Sequence, residues 1–365
     1  MTELTLRHTP ADRLPEAERE AILADPGFGK RFTDHMVSIV WTHDRGWHDA
    51  ELVPYGPIPI DPASSVLHYG QEIFEGLKAY RHPNGEVVTF RPEENARRLN
   101  ASARRLALPE LPEELFVRAI DELVRLDAAW VPGGAEQSLY LRPFMIADES
   151  FLGVRAAERA RFLVIASPAG PYFTGGVKPV SIWLSQELAR AGHGGTGAAK
   201  CGGNYAASLL PTRVAQEHGC AQVLFTDSNT ADTIDELGGM NLFLVRSDGT
   251  LITPELNGNI LAGITRDSLI RLAADRGLAT EERAVTVTEW REGAADGTIT
   301  EAFACGTAAV ITPISRLLGE DGTLVDFGDR APGALTVSLR DELTGIQFGT
   351  VPDRHGWVHR VSDAA

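Results

Sequence analysis

The chain has 365 residues, of which 43% are hydrophobic, and it carries a formal net charge of −16. This length predicts about two domains, and the acidic balance argues against a nucleic-acid or anionic-membrane surface. The sequence contains no run of about 18 apolar residues and no signal-peptide core in residues 1–30, so it predicts no membrane span and a cytoplasmic location.

The cysteines and histidines do not form a recognisable metal-binding pattern. The three cysteines, Cys201, Cys220 and Cys305, are widely spaced and form no Cys-x-x-Cys pair. None of the ten histidines falls in a spacing such as His-Glu-x-x-His. We therefore expect no disulfide framework, no structural zinc site and no catalytic metal.

The first half of the chain predicts a mixture of helices and strands. Helices are expected over 16–24, from Pro92 to about Leu106 and again after Pro112, where a proline followed by two glutamates is typical of a helix start. Asn84-Gly85 predicts a hairpin turn between strands 77–81 and 87–90. Further strands are expected over 36–41, 139–147 and 161–167.

A proline- and glycine-rich stretch then separates two predicted domains. Residues 168–179 hold three prolines and three glycines, so we expect domains at 1–167 and 180–365 with this segment as the linker. The second half alternates strands at 180–185, 222–226, 240–245 and 251–253 with helices from Asn204, Thr265 and about Leu335. The pattern predicts a two-domain α/β (α+β) fold.

Lys200 lies in a stretch of small residues, Gly192-His-Gly-Gly-Thr-Gly-Ala-Ala-Lys200-Cys-Gly-Gly. A lone lysine there is either a solvated loop charge or a reactive amine, because a close-packed setting favours the neutral, nucleophilic form. The pattern Gly192-x-Gly194-x-x-Gly197 also fits a dinucleotide fingerprint, but the glycines at 202 and 203 argue against a helix opening straight after it. We interpret Lys200 as the group that forms a Schiff base with pyridoxal phosphate.

Other residues could complete such a site, each with an ordinary alternative. Glu236 is either a solvated turn acid or the partner of a pyridine nitrogen, and its neighbour Asp235 is expected to face solvent. Gly263-Ile264-Thr265 precedes a helix and suits a phosphate, although Thr265 could simply cap that helix. The Gly306–Ala308 amides form a second candidate anion site, although such small residues could instead mark tight strand packing.

Two arginines are further candidates. Arg98 could be an exposed helix residue, as Arg97 beside it would be. Arg142 is flanked by Tyr140 and Pro143 in a strand that is otherwise apolar. A guanidinium in such a strand usually pairs with a carboxylate, which favours a binding role for Arg142.

Several motifs lie at characteristic spacing along nearly the whole chain. They are Phe28-Gly-Lys-Arg-Phe-Thr-Asp-His-Met36, His68-Tyr-Gly-Gln-Glu-Ile-Phe-Glu-Gly-Leu-Lys-Ala-Tyr80, Phe90-Arg-Pro92, Tyr140-Leu-Arg-Pro143, Lys200-Cys-Gly-Gly-Asn-Tyr205, Glu236-x-Gly-x-x-Asn241-Leu-Phe243, Leu251-x-Thr253 and Leu261-x-Gly263-Ile264-x-Arg266. Together they resemble the class IV aminotransferases, which are fold-type IV enzymes that use pyridoxal phosphate, and most closely the branched-chain amino acid aminotransferases.

The resemblance implies a cofactor in the cleft between the domains and a role for each matching residue. Lys200 would be catalytic and covalently attached to pyridoxal phosphate. The other cofactor-binding residues would be Arg98, Tyr205, Glu236, Ile264, Thr265 and Thr307. The substrate-binding residues would be Phe28, Tyr69, Tyr140, Arg142, Tyr172, Gly306, Thr307 and Ala308.

The same resemblance implies the reaction and the assembly. The enzyme would transfer the amino group of leucine, isoleucine or valine to 2-oxoglutarate, in branched-chain amino acid biosynthesis or degradation. Leu152 and Val154 would reach towards the neighbouring site of a homodimer. The alternatives are a D-amino acid aminotransferase or aminodeoxychorismate lyase of the same fold, or a protein that binds pyridoxal phosphate without turnover.

Overall fold

The computed structural model describes residues 4–171 and 177–361. The chain divides into two compact units. The first unit comprises Met1–Pro171, Ala199–Gly202 and Gly345–Ala365, and the second comprises Tyr172–Ala198 and Gly203–Thr344. The units therefore divide near the predicted linker, but Ala199–Gly202 and the C-terminal segment group with the first unit. The domain bounds expected from the sequence, 1–167 and 180–365, stay a prediction.

The elements of the first half are, in chain order, β1 (Arg7–His8), α1 (Glu16–Ala24), β2 (His35–Thr42), β3 (Gly46–Pro54), α2 (Ser65–Tyr69), β4 (Glu72–Phe74), β5 (Leu77–Arg81), β6 (Val87–Phe90), α3 (Pro92–Arg105), α4 (Glu113–Leu126), a 3-10 turn (Ala128–Trp130), β7 (Ser138–Ala147) and β8 (Arg159–Ala169). The elements of the second half are β9 (Val180–Ser185), α5 (Gly202–Glu217), β10 (Gln222–Thr226), β11 (Ile234–Leu237), β12 (Asn241–Arg246), β13 (Leu251–Pro254), α6 (Ile264–Asp275), β14 (Thr280–Arg283), α7 (Val287–Asp296), β15 (Ile299–Gly306), β16 (Val310–Gly319), β17 (Gly322–Asp326), a 3-10 turn (Gly328–Arg330), α8 (Ala334–Gln347) and β18 (Val358–Arg360).

The first unit is built on one large sheet. Among the described residues its strands follow the order β1-β3-β2-β8-β7-β5-β6-β18, and β4 pairs with β7. The helix predicted after Pro112 is present as α4, and it covers this sheet with a buried face of Leu115, Phe116, Ile120, Leu123 and Val124. Burial of this face holds α4 on the sheet, and truncating one of its leucines to alanine costs about 2–5 kcal/mol.

The second unit has a mixed sheet. Its described strands follow the order β11-β10-β9-β16-β15-β12-β13-β14, and β17 pairs with β16. Strand β9 runs parallel to both β10 and β16, whereas β15 runs antiparallel to both β12 and β16. The core beneath this sheet contains Trp290, Leu242, Leu244 and Ile314, all buried. The observed mixture of helices and sheets agrees with the predicted α/β class.

Membrane-spanning helices and metal clusters are both absent from the described ranges. No helix in 4–171 or 177–361 combines the length and the apolar character needed to cross a membrane. Within those same ranges, no group of three or more His, Cys, Asp or Glu side chains is arranged to hold a metal ion. The three cysteines are all buried and unpaired by disulfides.

Candidate active site

Lys200 is held by its backbone within the first unit. Its N–H donates to Ser102 Oγ on α3 at 2.9 Å, and its carbonyl accepts from the Phe74 N–H of β4, also at 2.9 Å. Two residues further along, the Gly202 N–H donates to the Glu72 carboxylate on the same strand. A loop that carries a reactive side chain is thereby fastened to two regular elements.

The amine of Lys200 lies in an apolar and cationic environment. Its Nζ is 4.8 Å from the centre of the Phe74 ring, and the Arg142 guanidinium is 4.9 Å from that same ring. Burial, reinforced by the Arg98 guanidinium, lowers the pKa of Lys200 to about 8. The neutral form, which is the form that attacks an aldehyde, is therefore far more populated near physiological pH than it is in a solvated lysine.

Arg98, predicted to bind phosphate, is fixed by a buried carboxylate. Its Nε and Nη2 each donate to Glu75 at 2.8 Å, one to each carboxylate oxygen. Glu75 is fully buried and also accepts from Asn95 Nδ2 at 2.7 Å. This bidentate pairing leaves the guanidinium oriented beside the lysine rather than solvated like Arg97, whose side chain is 53% exposed.

The predicted substrate residues of the first unit cluster around Tyr140. The Tyr140 hydroxyl accepts from Arg142 Nη2 at 3.2 Å, and the Phe28 ring meets the Tyr140 ring edge-on at 5.1 Å. Gly76 lies so close to the Tyr140 hydroxyl that a Cβ at position 76 would overlap it. The structure also leaves the buried Nε of Arg142 without a hydrogen-bond partner among the described residues.

Three other predicted positions in the first unit lie at its surface. Tyr69 is half exposed, and its hydroxyl donates to the Leu152 carbonyl at 2.5 Å. Leu152 and Val154 are 66% and 86% exposed, which is unusual for large apolar side chains. Tyr172 lies outside the described residues.

Glu236 lies in the second unit at the centre of a buried hydrogen-bond network. Its Oε1 is 2.5 Å from Arg190 Nη2 and accepts from the Leu261 N–H at 3.1 Å, while Oε2 accepts from Asn241 Nδ2 at 3.1 Å. The carboxylate is thus paired with a guanidinium and fixed in orientation. Arg190 Nη2 also donates to the carbonyl oxygens of Gly197, at 3.2 Å, and Asn259.

Two expectations about this segment are wrong. The sequence predicts no strand between 222–226 and 240–245, but Glu236 lies within the four-residue strand β11, all of which is buried. Asp235 was predicted to face solvent, but it is 3% exposed and accepts from the amides of Asn257 and Asn259. Burial raises the pKa of Asp235, and its amide partners oppose that rise. A short strand buried on both faces has no alternating pattern that the sequence could display.

The predicted phosphate seat is a helix N-terminus, with one correction. Gly263, not Thr265, is the N-cap of α6, and no side chain caps this end of the helix. Thr265 lies inside the first turn and is 8% exposed. Asn241 Nδ2 donates to the Leu261 carbonyl at 3.0 Å as well as to Glu236, so one side chain joins Glu236 to the segment that enters α6.

The remaining predicted residues occupy turns and a helix start in the second unit. Tyr205 lies in the first turn of α5, where its ring is beside Gly239. Gly306, Thr307 and Ala308 form the end of β15 and the turn into β16. No helix opens directly after Gly197, as expected: α5 begins at Gly202, two residues before its predicted start at Asn204, so the two glycines belong to its first turn.

Each unit therefore brings part of the predicted set together. In the first unit Lys200 and Arg142 lie beside the Phe74 ring, and Arg98 and Tyr140 are near enough to act on the Lys200 amine. In the second unit Glu236 is linked to the start of α6. Five supporting residues were not recognised from the sequence: Glu72, Phe74, Glu75, Ser102 and Arg190. Of these, Arg190 offered a usable signal, because an arginine beside a glycine-rich loop suits recognition of several backbone carbonyls.

Comparisons with known proteins agree along the whole chain. Residues 72–317 match the family model described as amino-transferase class IV. A branched-chain-amino-acid aminotransferase of Mycolicibacterium smegmatis is 59% identical over 351 residues, 95% of each chain. The crystal structure of the Escherichia coli branched-chain amino acid aminotransferase superposes with a TM-score of 0.73 at 29% identity, covering 89% of this chain and 100% of that one.

A third comparison involves a solved structure with a bound ligand. The branched-chain amino acid aminotransferase of T.th., in complex with N-(5'-phosphopyridoxyl)-L-glutamate, has a TM-score of 0.72 and 30% identity, covering 89% of this chain and 99% of that one. The resemblance inferred from motifs is thus confirmed at the level of sequence and of fold. The chain belongs to the class IV aminotransferases, and its sequence places it among the branched-chain-amino-acid aminotransferases.

Proposed function

We propose that this protein uses pyridoxal phosphate to move the amino group of leucine, isoleucine or valine to 2-oxoglutarate. The observation that carries this proposal is the state of Lys200. Burial and two nearby arginines lower the pKa of its amine to about 8, far below that of a solvated lysine. An amine tuned in this way can bond to a carbonyl and can also carry a proton at neutral pH.

The residues present fit the proposed cofactor. The N-terminus of α6 has no side-chain cap, so its first N–H groups suit a phosphate ester. The Glu236 carboxylate is paired with Arg190 and fixed in orientation, which suits an acceptor for a protonated pyridine nitrogen. We assign the phosphate to Arg98, Ile264, Thr265 and Thr307, the ring hydroxyl to Tyr205 and the ring nitrogen to Glu236.

When bound, the cofactor supplies an electron-withdrawing ring that accommodates the charge left when the substrate Cα loses its proton. The rest of the chemistry falls to this chain. Lys200 Nζ accepts that proton in its neutral form and donates it again in its charged form. Glu236 stays fixed in orientation, because Arg190 and two further donors hold its carboxylate in place.

Arg142 is proposed to select the amino-group acceptor. Its Nη2 contacts the Tyr140 hydroxyl and its Nε has no partner among the described residues, so it can still bind the distal carboxylate of 2-oxoglutarate. Phe28, Tyr69, Tyr140, Tyr172 and the Gly306–Ala308 amides would line the remaining pocket. We further propose a homodimer in which Leu152 and Val154 are covered by the partner, since both are strongly exposed in the single chain.

The covalent role of Lys200 is tested by borohydride reduction of the purified holoenzyme. Mass spectrometry should find the cofactor bonded to the peptide that carries Lys200, and Lys200→Ala should lack both the adduct and amino transfer. The matched control is Lys30→Ala, which removes an exposed lysine of the same unit. Full turnover by Lys200→Ala would overturn the assignment.

The substrate is tested by a panel of amino acids with 2-oxoglutarate as acceptor. We expect turnover with L-leucine, L-isoleucine and L-valine and none with D-alanine. Turnover with D-alanine alone would favour a D-amino acid aminotransferase. An absorbance spectrum that does not change with any substrate would favour a binding protein.

A further inference from the structure

The backbone around Lys200 is held more firmly than its side-chain role alone requires. Both polar backbone groups of Lys200 are bonded to other elements, the N–H to Ser102 Oγ and the carbonyl to the Phe74 N–H, each at 2.9 Å. The Gly202 N–H is bonded to the Glu72 carboxylate. Loop backbone usually faces water, so three bonds to α3 and β4 within three residues define a fixed position.

Ser102 connects this position to the neighbouring charges. It lies four residues after Arg98 on α3, so both side chains project from the same face of the helix. Ser102 is 1% exposed, and no bulk water can replace its hydroxyl as the acceptor for the Lys200 N–H. Helix α3, which carries Arg98, therefore also fixes how far the Lys200 backbone lies from the Arg98 guanidinium.

Glu72 holds the chain two residues after Lys200, at Gly202. It is the first residue of β4, the strand that also supplies Phe74, and Gly202 is so close to it that a Cβ at 202 would overlap the carboxylate. Burial raises the pKa of Glu72, while the Gly202 N–H and Arg142 oppose that rise. The carboxylate therefore has both a fixed place and a fixed partner.

We propose that Ser102 and Glu72 are positioning residues: by bonding the backbone at Lys200 and Gly202, they fix the position of the Lys200 amine relative to its substrate. The inference rests on the proposed function for its catalytic meaning. A misplacement of about 1 Å at a reacting atom can reduce a rate about 100-fold. The hydrogen bonds from Ser102 to Lys200 and from Glu72 to Gly202, called the clamp below, therefore affect turnover directly. It also determines how strongly Arg98 and Arg142 act on the amine, because Coulomb energy depends on distance.

The first experiment measures how readily the Lys200 amine is acetylated as a function of pH. In cofactor-free full-length protein, a brief pulse of acetic anhydride at a series of pH values, followed by mass spectrometry, gives the pH midpoint for acetylation of Lys200. We expect a midpoint near pH 8 in the wild type and a rise of about one pH unit in Ser102→Ala. Ser138→Ala is the matched control, since Ser138 is 1% exposed and its hydroxyl has no partner among the described residues.

The second experiment reads turnover of the holoenzyme with L-leucine and 2-oxoglutarate. Ser102→Ala should lower kcat about 10-fold and change KM less than about 2-fold, because substrate contacts remain while the reacting amine moves. Glu72→Ala should behave similarly. Glu72→Gln should recover most of the loss, because its amide oxygen can still accept from Gly202. Glu72 is partly exposed, so these variants test the clamp even if Ser102→Ala does not fold.

The outcomes separate this inference from the proposed function. If Ser102→Ala matches Ser138→Ala in both midpoint and kcat, Ser102 is not a positioning residue. If Glu72→Gln is as impaired as Glu72→Ala, the hydrogen bond to Gly202 is not what matters and the role of Glu72 is overturned. If the wild type transfers no amino group, the proposed function fails, and the acetylation midpoints still decide whether the clamp exists.

Discussion

The two units hold their central groups with arginines that act in opposite directions. In the first unit Arg98 and Arg142 lie near an amine, and a cation beside an amine favours its neutral form. In the second unit Arg190 is 2.5 Å from the Glu236 carboxylate, and a cation beside a carboxylate favours its charged form. The same residue type thus favours a neutral base in one unit and pairs with a carboxylate in the other.

The units also differ in how rigidity is achieved. Lys200 is positioned through its backbone by side chains of neighbouring elements, whereas Glu236 is positioned through its own carboxylate by Arg190, Asn241 and the Leu261 N–H. This difference follows from the task. A side chain that transfers protons needs a movable terminal group on a fixed backbone. A side chain that only stabilises charge can have its terminal group itself held by hydrogen bonds.

The largest expected effect is on the second unit. Arg190→Leu leaves Glu236 as an uncompensated buried charge, which should lower the free energy of unfolding by about 3–5 kcal/mol in urea denaturation. Adding Glu236→Gln should recover part of that loss, since the unpaired charge is then gone. Arg97→Leu, which breaks an exposed pair with Glu94, should cost less than about 1 kcal/mol. A loss of similar size in both single variants would contradict the buried network.

The next effect concerns specificity in the first unit. Arg142→Ala removes a charged hydrogen-bond donor, so kcat/KM for L-glutamate should fall about 100-fold, equivalent to about 2.7 kcal/mol, and that for L-leucine about 10-fold or less. Steady-state kinetics with both amino acids measure this difference. Arg142→Lys retains the positive charge, so its kcat/KM for L-glutamate should lie between those of the wild type and of Arg142→Ala. Equal losses for glutamate and leucine would show that Arg142 has no selective role.

The elements set by local signals could be predicted from the sequence. The proline and glutamates before α3 and α4, and Asn84-Gly85 before β6, act within a few residues, and each predicted element is present close to its expected bounds. The apolar residues Phe116, Ile120, Leu123 and Val124 of α4 recur at the helical period and are buried, whereas Leu126 of the same set is only partly buried.

The supporting residues of the site could not be predicted in this way. Ser102 lies 98 residues from Lys200 in sequence, and a serine inside a helix carries no sign of the distant N–H that it accepts. Glu75 and Arg98 are 23 residues apart in different elements. Such pairs depend on tertiary packing, which local propensity does not encode, whereas glycine-rich motifs with fixed spacing do reveal the residues they surround.

A moderate effect is expected at the glycine loop of the second unit. Gly197 contacts the Asn259 backbone so closely that a Cβ would overlap it, and Arg190 holds both carbonyl groups. Gly197→Ala should therefore lower the free energy of unfolding by about 1–3 kcal/mol, as overpacking usually does. Gly203→Ala is the matched control, because no atom lies within 4 Å of its added Cβ. Equal stability of the two variants would show that the loop can move away from Asn259.

The smallest expected effect is at His359, also in the first unit. It tests whether neighbouring carboxylates favour the charged form of a base, as the arginines around Lys200 favour the neutral form. His359 on β18 is 2.9 Å from Asp121 and 3.6 Å from Glu93. The hydrogen bond to Asp121 raises the pKa of His359 above its usual value, although partial burial opposes the rise. Here carboxylates favour the charged form, in contrast to the arginines around Lys200.

Because the pKa of His359 is higher in the folded than in the unfolded chain, its stabilisation is fully present below about pH 6.5 and is lost as the pH rises through the folded value. We expect wild type to exceed His359→Gln by about 1 kcal/mol in unfolding free energy at pH 5.5, and by less at pH 9. Urea denaturation at both pH values measures the difference, with the exposed His43→Gln as control. If the difference in unfolding free energy between wild type and His359→Gln grows towards pH 9, the hydrogen bond to Asp121 favours neutral His359. The contrast with Lys200 would then be wrong.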